Sequence, residues 1–137
     1  MSKCVYHKGG SKKYVLDESF KEIIPFKSPK EIITSYAMLD VDGYIVIDSG
    51  YEWDGASGPT IDTDNTMDGS LVHDIIYQFL RERRFGSKNW IQRAILRHQA
   101  DKCIYTMLVN NKMSRFRAWY WYLSLRVAGF PYIRSKI

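Results

Sequence analysis

Residues 68–84, with the sequence DGSLVHDIIYQFLRERR, are the stretch that decides the fold of this chain. Apolar side chains recur there at helical spacing and line one side, at Leu71, Val72, Ile75, Ile76, Phe79 and Leu80. The pattern predicts an amphipathic helix that buries this stripe. Phe85-Gly86 follows directly, and a glycine just beyond the last apolar position is typical of a helix end.

Two more helices are predicted downstream of the first. The second is capped by Ser87 and ends near Asn110, with apolar positions at Trp90, Ile91, Ala94, Ile95, Ile104, Met107 and Leu108. The third begins after Ser114 and ends near Gly129-Phe130-Pro131. We expect the first two helices to pack against each other as antiparallel neighbours.

Strand patterns occupy the first half of the chain. Tyr14–Leu16 is a short strand candidate, and residues 32–39 and 44–48 flank Asp40-Val41-Asp42-Gly43, which predicts a hairpin. The same turn resembles the start of a calcium-binding loop, but the closing Glu of that motif is missing, and an ordinary turn is the simpler interpretation. Residues 50–68 show no periodicity, which predicts a long loop of a kind that often carries function.

Strands followed by helices predict an α+β fold. We expect a single domain over residues 1–137, with a small antiparallel sheet in residues 1–60 and helices in residues 68–130. The composition, 45% hydrophobic and 15% aromatic, excludes a disordered chain. We expect no membrane span, because no apolar run is long enough, and no secretory signal, because residues 1–10 are polar and basic. The two cysteines, Cys4 and Cys103, lie too far apart in sequence to indicate a metal cluster.

Charge divides the chain into two unlike halves. Residues 1–68 contain 7 Lys/Arg and 12 Asp/Glu, whereas residues 69–137 contain 13 Lys/Arg and three acids, Asp74, Glu82 and Asp101. A basic half attracts phosphate-bearing partners such as nucleic acid or anionic lipid, although a solvated basic surface is the simpler interpretation. The position of the few acids is therefore the more informative feature.

Asp101 is predicted to pair with the first helix. It lies three residues before Ile104, on the buried edge of the second helix, where an unpaired carboxylate is costly. His73 and Tyr77 are four residues apart, so they share one face of the first helix. We predict that both donate to Asp101, which leaves the second imidazole nitrogen as a base. The alternative is a satisfied hydrogen-bond network without chemistry.

Asp74 is predicted to have a separate role. It points about 100° away from His73 around the helix. Oxygen-rich loops with one or two carboxylates suit calcium, with backbone carbonyls completing the shell. We therefore expect Asp74 to ligate a cation beside the loop at residues 50–68.

The motifs of this chain resemble those of a family of phage-encoded proteins of unassigned function. Members carry a G-[FY]-x-x-[DG]-[GF]-A-S-x-P box, then H-D-x-x-Y on a helix, and then an A-D pair on the next helix. The matching segments here are residues 50–59, His73-Asp74-Ile75-Ile76-Tyr77 and Ala100-Asp101. The resemblance covers residues 44–108, about half the chain. It implies a phage origin, in the virion or the host cytoplasm, but no activity.

The same order is distantly similar to the A-two type phospholipases. In these enzymes a glycine-containing calcium loop precedes H-D-x-x-Y, and a later aspartate completes a His-Asp dyad. The resemblance implies that His73 activates water, that Asp101 orients His73, and that Tyr77 donates to Asp101. It also implies calcium-dependent hydrolysis of phospholipid esters, with calcium held by Asp74 and by carbonyls near Gly55 and Gly58. The chain departs from these enzymes at residues 53–57, WDGAS, which replace the usual Y-x-G-x-G loop.

Two other histidines allow alternative centres. A metal-dependent phosphohydrolase of the His…His-Asp…Asp type requires a histidine on a preceding helix, and the candidate, His7, lies in an extended segment. His98 precedes Asp101 by three residues and is either a second base or, more simply, an ordinary residue at the helix edge.

The third helix is crowded with aromatic side chains on all sides, so we expect one face to pack on the core and another to be wet. Trp119, Trp121, Arg115 and Arg117 are the candidates for a surface that binds a phospholipid membrane or another phage or host protein. Nucleic acid is the less favoured partner. If the protein binds it, the affinity should fall steeply as the salt concentration rises. The rival to a hydrolase is a non-catalytic phage structural or host-interaction protein that keeps the helix pair as a scaffold. The sequence does not determine the oligomeric state.

Overall fold

The computed structural model describes residues 4–55, 66–86 and 89–128. Within them, strands precede helices along the chain, which confirms the α+β prediction. The strands are β1 (Tyr6–Lys8), β2 (Tyr14–Leu16), β3 (Phe20–Ile23), β4 (Ile32–Ile33), β5 (Ala37–Leu39), β6 (Tyr44–Ile47) and β7 (Glu52–Trp53). The helices are α1 (Met67–Arg81), α2 (Trp90–Asn110) and α3 (Arg115–Ala128).

The strands form two antiparallel sheets, where the sequence predicted one. The first sheet has the order β1-β2-β7, and the second has the order β3-β6-β5-β4. The predicted hairpin joins β5 to β6, with Met38 opposite Val46. Its turn uses Asp40 locally, because Oδ1 of Asp40 accepts from the backbone N–H of Asp42 and of Tyr44, both at 2.9 Å. These bonds are those of an ordinary turn.

Residues 32–39, predicted as one strand, are two. β4 and β5 pair antiparallel, with Ile32 opposite Leu39. The chain reverses at Thr34, whose Oγ1 accepts from the N–H of Ala37 at 2.9 Å and whose N–H donates to the Ala37 carbonyl at 2.8 Å. The prediction was wrong here because a threonine hydroxyl competes with the strand ladder for backbone bonds.

Helix α1 is the central element of the core. It is buried on nearly every side, and its apolar stripe packs with buried side chains from both sheets, including Leu16, Leu39, Ile45, Ile47 and Trp53. Helix α2 packs against α1 at Gly69, where an added Cβ would lie 3.1 Å from the Ile104 side chain. The absence of a side chain at Gly69 therefore lets the two helices approach closely, one turn away from His73.

The helix ends follow the sequence in part. Asn89 caps α2, since its side chain accepts from the N–H of Gln92 at 2.9 Å. The predicted cap, Ser87, lies outside the described residues. Ser114 caps α3 as predicted, with Oγ accepting from the N–H of Arg117 at 3.2 Å. The predicted end of α3 at residues 129–131 also lies outside the described residues.

Among the described residues, no helix has both the length and the apolar character needed to cross a membrane.

Candidate active site

Helices α1 and α2 bring His73, Tyr77 and Asp101 together. Nε2 of His73 lies 2.8 Å from Oδ1 of Asp101, and the Tyr77 hydroxyl donates to the same oxygen at 2.6 Å. The His73 and Tyr77 rings also contact each other, with centroids 4.0 Å apart. Asp101 is 0% exposed and His73 is 5% exposed. The contacts predicted from helical spacing are therefore present in the structure.

A third helix completes the surroundings of Asp101. Nη1 of Arg126, on α3, donates to the second carboxylate oxygen, Oδ2, at 2.8 Å. The end of α3 is itself held by Arg97, whose Nη2 donates to the carbonyls of Leu125 and Arg126. Both oxygens of Asp101 are thus occupied by donors, which fixes the plane of the carboxylate.

The charge state of this cluster is set by a balance of burial and hydrogen bonds. Burial alone raises the pKa of Asp101, but the donors His73, Tyr77 and Arg126 outweigh burial and hold that pKa below its ordinary value. Burial and the adjacent Asp101 charge raise the pKa of Tyr77. Asp101 is therefore an anion and Tyr77 a neutral donor at neutral pH.

Asp74 lies in a different environment from Asp101. It is half-buried, and its Oδ2 accepts from the backbone N–H of Asp54 at 3.3 Å. Burial raises the pKa of Asp74 to about 6, and the nearby charge of Asp54 adds to the rise. This contact joins α1 to the end of β7, a strand that lies within the segment predicted as a loop, residues 50–68.

The residues at this junction suit a hard cation such as calcium. Asp74 and Asp54 supply carboxylate oxygens, which calcium prefers, and a desolvated carboxylate gains from an adjacent positive charge. Gly55 has φ 73°, in the left-handed region, whereas Gly58 lies outside the described residues. The part of the chain that the structure describes contains no group of three or more His, Cys, Asp or Glu side chains placed to hold a metal. A calcium site here would need further ligands, and the sequence predicts backbone carbonyls of the loop for that role.

The two remaining histidines lie elsewhere. His98 is exposed, and its Nε2 lies 2.9 Å from the Tyr122 hydroxyl on α3. His7 lies on β1 and pairs with Asp17 on the surface. The phosphohydrolase alternative requires its first histidine on a helix that precedes α1, whereas His7 lies on a strand.

Helix α3 has one packed face and one exposed face, as expected. Trp119 and Arg115 are exposed, and Arg117 is partly buried. Trp121 is only 3% exposed and packs with Ile104 in a cluster between α2 and α3. Trp121 therefore belongs to the core, and its predicted surface role does not fit the structure.

Arg126 is the site residue that the sequence did not reveal. A basic residue among aromatic ones on the last helix indicates a surface, and nothing in the spacing relates it to Asp101. One physical argument points to such a residue. A fully buried carboxylate is costly, and a cationic partner in addition to neutral donors offsets that cost.

Comparison with known proteins identifies the family. Residues 31–125 match the family described as Protein of unknown function (DUF1353). The chain belongs to the DUF1353 family. The DUF1353 match includes His73, Asp74, Tyr77 and Asp101, and it ends one residue before Arg126. No curated protein and no solved structure matches the chain.

Proposed function

We propose that this DUF1353 protein is a phage-encoded hydrolase that cleaves phospholipid esters with the help of calcium. The observation that carries the proposal is the arrangement around Asp101, which accepts from Nε2 of His73 at 2.8 Å and from the Tyr77 hydroxyl at 2.6 Å. A buried carboxylate that holds one imidazole nitrogen makes the other nitrogen a positioned base.

The residues of this chain support a general-base mechanism. Because Asp101 is an anion, neutral His73 carries its proton on Nε2 and has its lone pair on Nδ1. Nδ1 takes a proton from a water molecule while the water oxygen bonds to the ester carbonyl carbon. The imidazolium then returns the proton to the alkoxide as the carbon–oxygen bond breaks. Asp101 stays ionised and stabilises the imidazolium.

Asp74 and carbonyls near Gly55 and Gly58 would hold the calcium ion. Bound there, calcium would polarise the ester carbonyl. Since the pKa of Asp74 is raised to about 6, protons and cations compete for this carboxylate near neutral pH. We therefore expect calcium affinity to fall as the pH drops below about 6.

The phospholipid substrate follows from the resemblance to A-two type phospholipases, and the phage origin follows from the resemblance of the motif boxes. We place the protein in the virion or in the cytoplasm of the infected host. Mass spectrometry of purified virions and of infected cells distinguishes the two locations.

A second candidate is a non-catalytic structural or host-interaction protein. The observation in its favour is burial: His73 is 5% exposed, Asp101 is 0% exposed, and both oxygens of Asp101 are satisfied. In that case His73 serves only to join α1 to α2, and its substitution lowers stability without removing any activity.

The test compares His73→Asn with His98→Asn, a matched control on the exposed edge of α2. Purified proteins are incubated with phospholipid vesicles, with calcium or with a chelator, and fatty acid release is measured. We expect wild type and His98→Asn to release fatty acid only with calcium, and His73→Asn to be slower by about 100-fold or more. The proposal is wrong if wild type releases none, or if folded His73→Asn matches wild type.

A further inference from the structure

Helix α3 carries an apolar face that nothing in the described structure covers. Its members recur every three or four residues and are between 41% and 78% exposed: Phe116, Trp119, Tyr120, Leu123 and Val127. The opposite side of the helix is already used, because Ala118 and Trp121 pack against α2. Helix α3 is therefore apolar on two sides, and only one of them contributes to the core.

Helix α2 carries a second exposed apolar stripe. Trp90, Ile91 and Ile95 are each more than half exposed. His98 lies three residues after Ile95 on the same side of α2, and it contacts the Tyr122 hydroxyl on α3. This contact links the side of α2 that carries the exposed stripe to α3. We call the two stripes together the aromatic face.

The exposed charges on α2 and α3 have a single sign, because the only acid of these two helices, Asp101, is 0% exposed. After Asp101 the sequence contains seven Lys/Arg and no Asp or Glu. Arg115 and Lys112 are exposed close to the start of α3. A partner of this face therefore has an apolar layer bordered by negative charge.

We propose that the aromatic face binds the surface of an anionic lipid bilayer. Tryptophan and tyrosine favour the headgroup region, aliphatic side chains favour the hydrocarbon beneath it, and basic residues pair with anionic headgroups. Nucleic acid fits less well, because Leu123, Val127 and Ile95 have no rings to stack on bases. A second copy of this chain also fits less well, because it would bring together two surfaces whose helices expose basic residues and no acid.

This inference goes beyond the proposed hydrolysis and does not require it. The aromatic face uses none of the residues His73, Asp74 or Asp101. His73→Asn should therefore bind vesicles as wild type does, whatever the hydrolysis assay shows. If the protein binds vesicles but releases no fatty acid, the hydrolase proposal is rejected and the lipid-binding proposal is retained.

The test uses vesicle flotation with two matched double variants. Leu123→Ser with Val127→Ser removes aliphatic side chains from the aromatic face, whereas Ile23→Ser with Ile33→Ser removes two other exposed aliphatic side chains, from the second sheet. We expect wild type to bind vesicles containing phosphatidylglycerol about ten-fold more tightly than phosphatidylcholine vesicles. We expect the α3 variant to lose about ten-fold in affinity at unchanged thermal stability, and the sheet variant to bind as wild type does.

Fluorescence locates the contact. Trp90 and Trp119 are exposed, whereas Trp53 and Trp121 are buried. Brominated lipids should quench the wild-type protein but not the Trp90→Phe, Trp119→Phe double variant. Absence of binding to anionic vesicles, or equal losses in the two serine variants, would overturn the proposal. So would a dimer, or a complex with an oligonucleotide, that depends on Leu123 and Val127 while vesicles do not bind.

Discussion

Asp101 and Asp74 are two carboxylates of the same basic half of the chain, and their pKa values are shifted in opposite directions. Asp101 is fully buried, yet its donors hold its pKa below the ordinary value. Burial raises the pKa of Asp74 to about 6, because the hydrogen bond that its Oδ2 accepts from the N–H of Asp54 is long, at 3.3 Å, and does not offset burial.

The difference shows that burial raises the pKa of a carboxylate unless hydrogen-bond donors and a cation offset it. Asp101 contacts side chains from α1 and α3. Helix packing alone positions these side chains, so the contacts need no bound ligand. Asp74 borders the predicted loop, and the contacts that lower its pKa do not offset the effect of burial. Asp101 is thus suited to hold other groups in place, and Asp74 is suited to accept a cation.

The largest expected effect is that of Asp101→Asn. The substitution leaves the Arg126 guanidinium without its anion and turns an amide N–H₂ toward one of the donors. We expect a loss of about 3–5 kcal/mol in the free energy of unfolding, since one partner of a buried ion pair is removed. Urea denaturation at pH 7 measures it. A loss below about 1 kcal/mol would show that the cluster does not stabilise the fold.

Arg126→Met should have the next largest effect. It removes the donor to Oδ2 of a buried carboxylate while keeping most of the apolar volume. We expect a loss of about 1–3 kcal/mol. Arg115→Met is the matched control on the exposed side of α3 and should change stability by less than about 0.5 kcal/mol. Equal effects in the two variants would contradict the assigned contact.

Asp74→Asn should have a smaller effect of the opposite sign. The folded-state pKa of Asp74 lies above its ordinary value of 3.8, so ionisation of Asp74 opposes folding as the pH rises from about 4 to 7. The asparagine variant should match wild type near pH 4 and exceed it by about 1–2 kcal/mol at pH 7. Thermal unfolding across this pH range measures the difference. A variant less stable than wild type at pH 7 would contradict the raised pKa.

The effect of calcium on thermal stability tests the role proposed for Asp74. If Asp74 ligates calcium, added calcium should raise the melting temperature of wild type and should not change that of Asp74→Asn. Asp42→Asn, in the β5–β6 turn, is a control that should keep the wild-type response. Loss of the response in Asp42→Asn alone would place the ion in that turn instead.

The sequence predicted the Asp101 cluster because helical spacing fixes which side chains share a face. His73, Tyr77 and Asp101 could be related by that rule together with the penalty for a buried charge. Arg126 could not, because the rotation of α3 against α2 is determined by packing. The same limit applies to Trp119 and Trp121, which are two residues apart on a helix with aromatic side chains on all sides. The spacing does not determine which of the two is buried. Similarly, the separation of the strands into two sheets depends on long-range pairing that short local patterns do not specify.

The central claim is that Asp101 holds His73 so that Nδ1 is the base. The most direct test is the tautomer of His73, measured by ¹⁵N chemical shifts at a pH where the ring is neutral. The chain has three histidines, so His7→Asn and His98→Asn variants complete the assignment. We predict that the proton resides on Nε2 in wild type and that Asp101→Asn weakens this preference. A proton on Nδ1 in the wild-type protein would contradict the account.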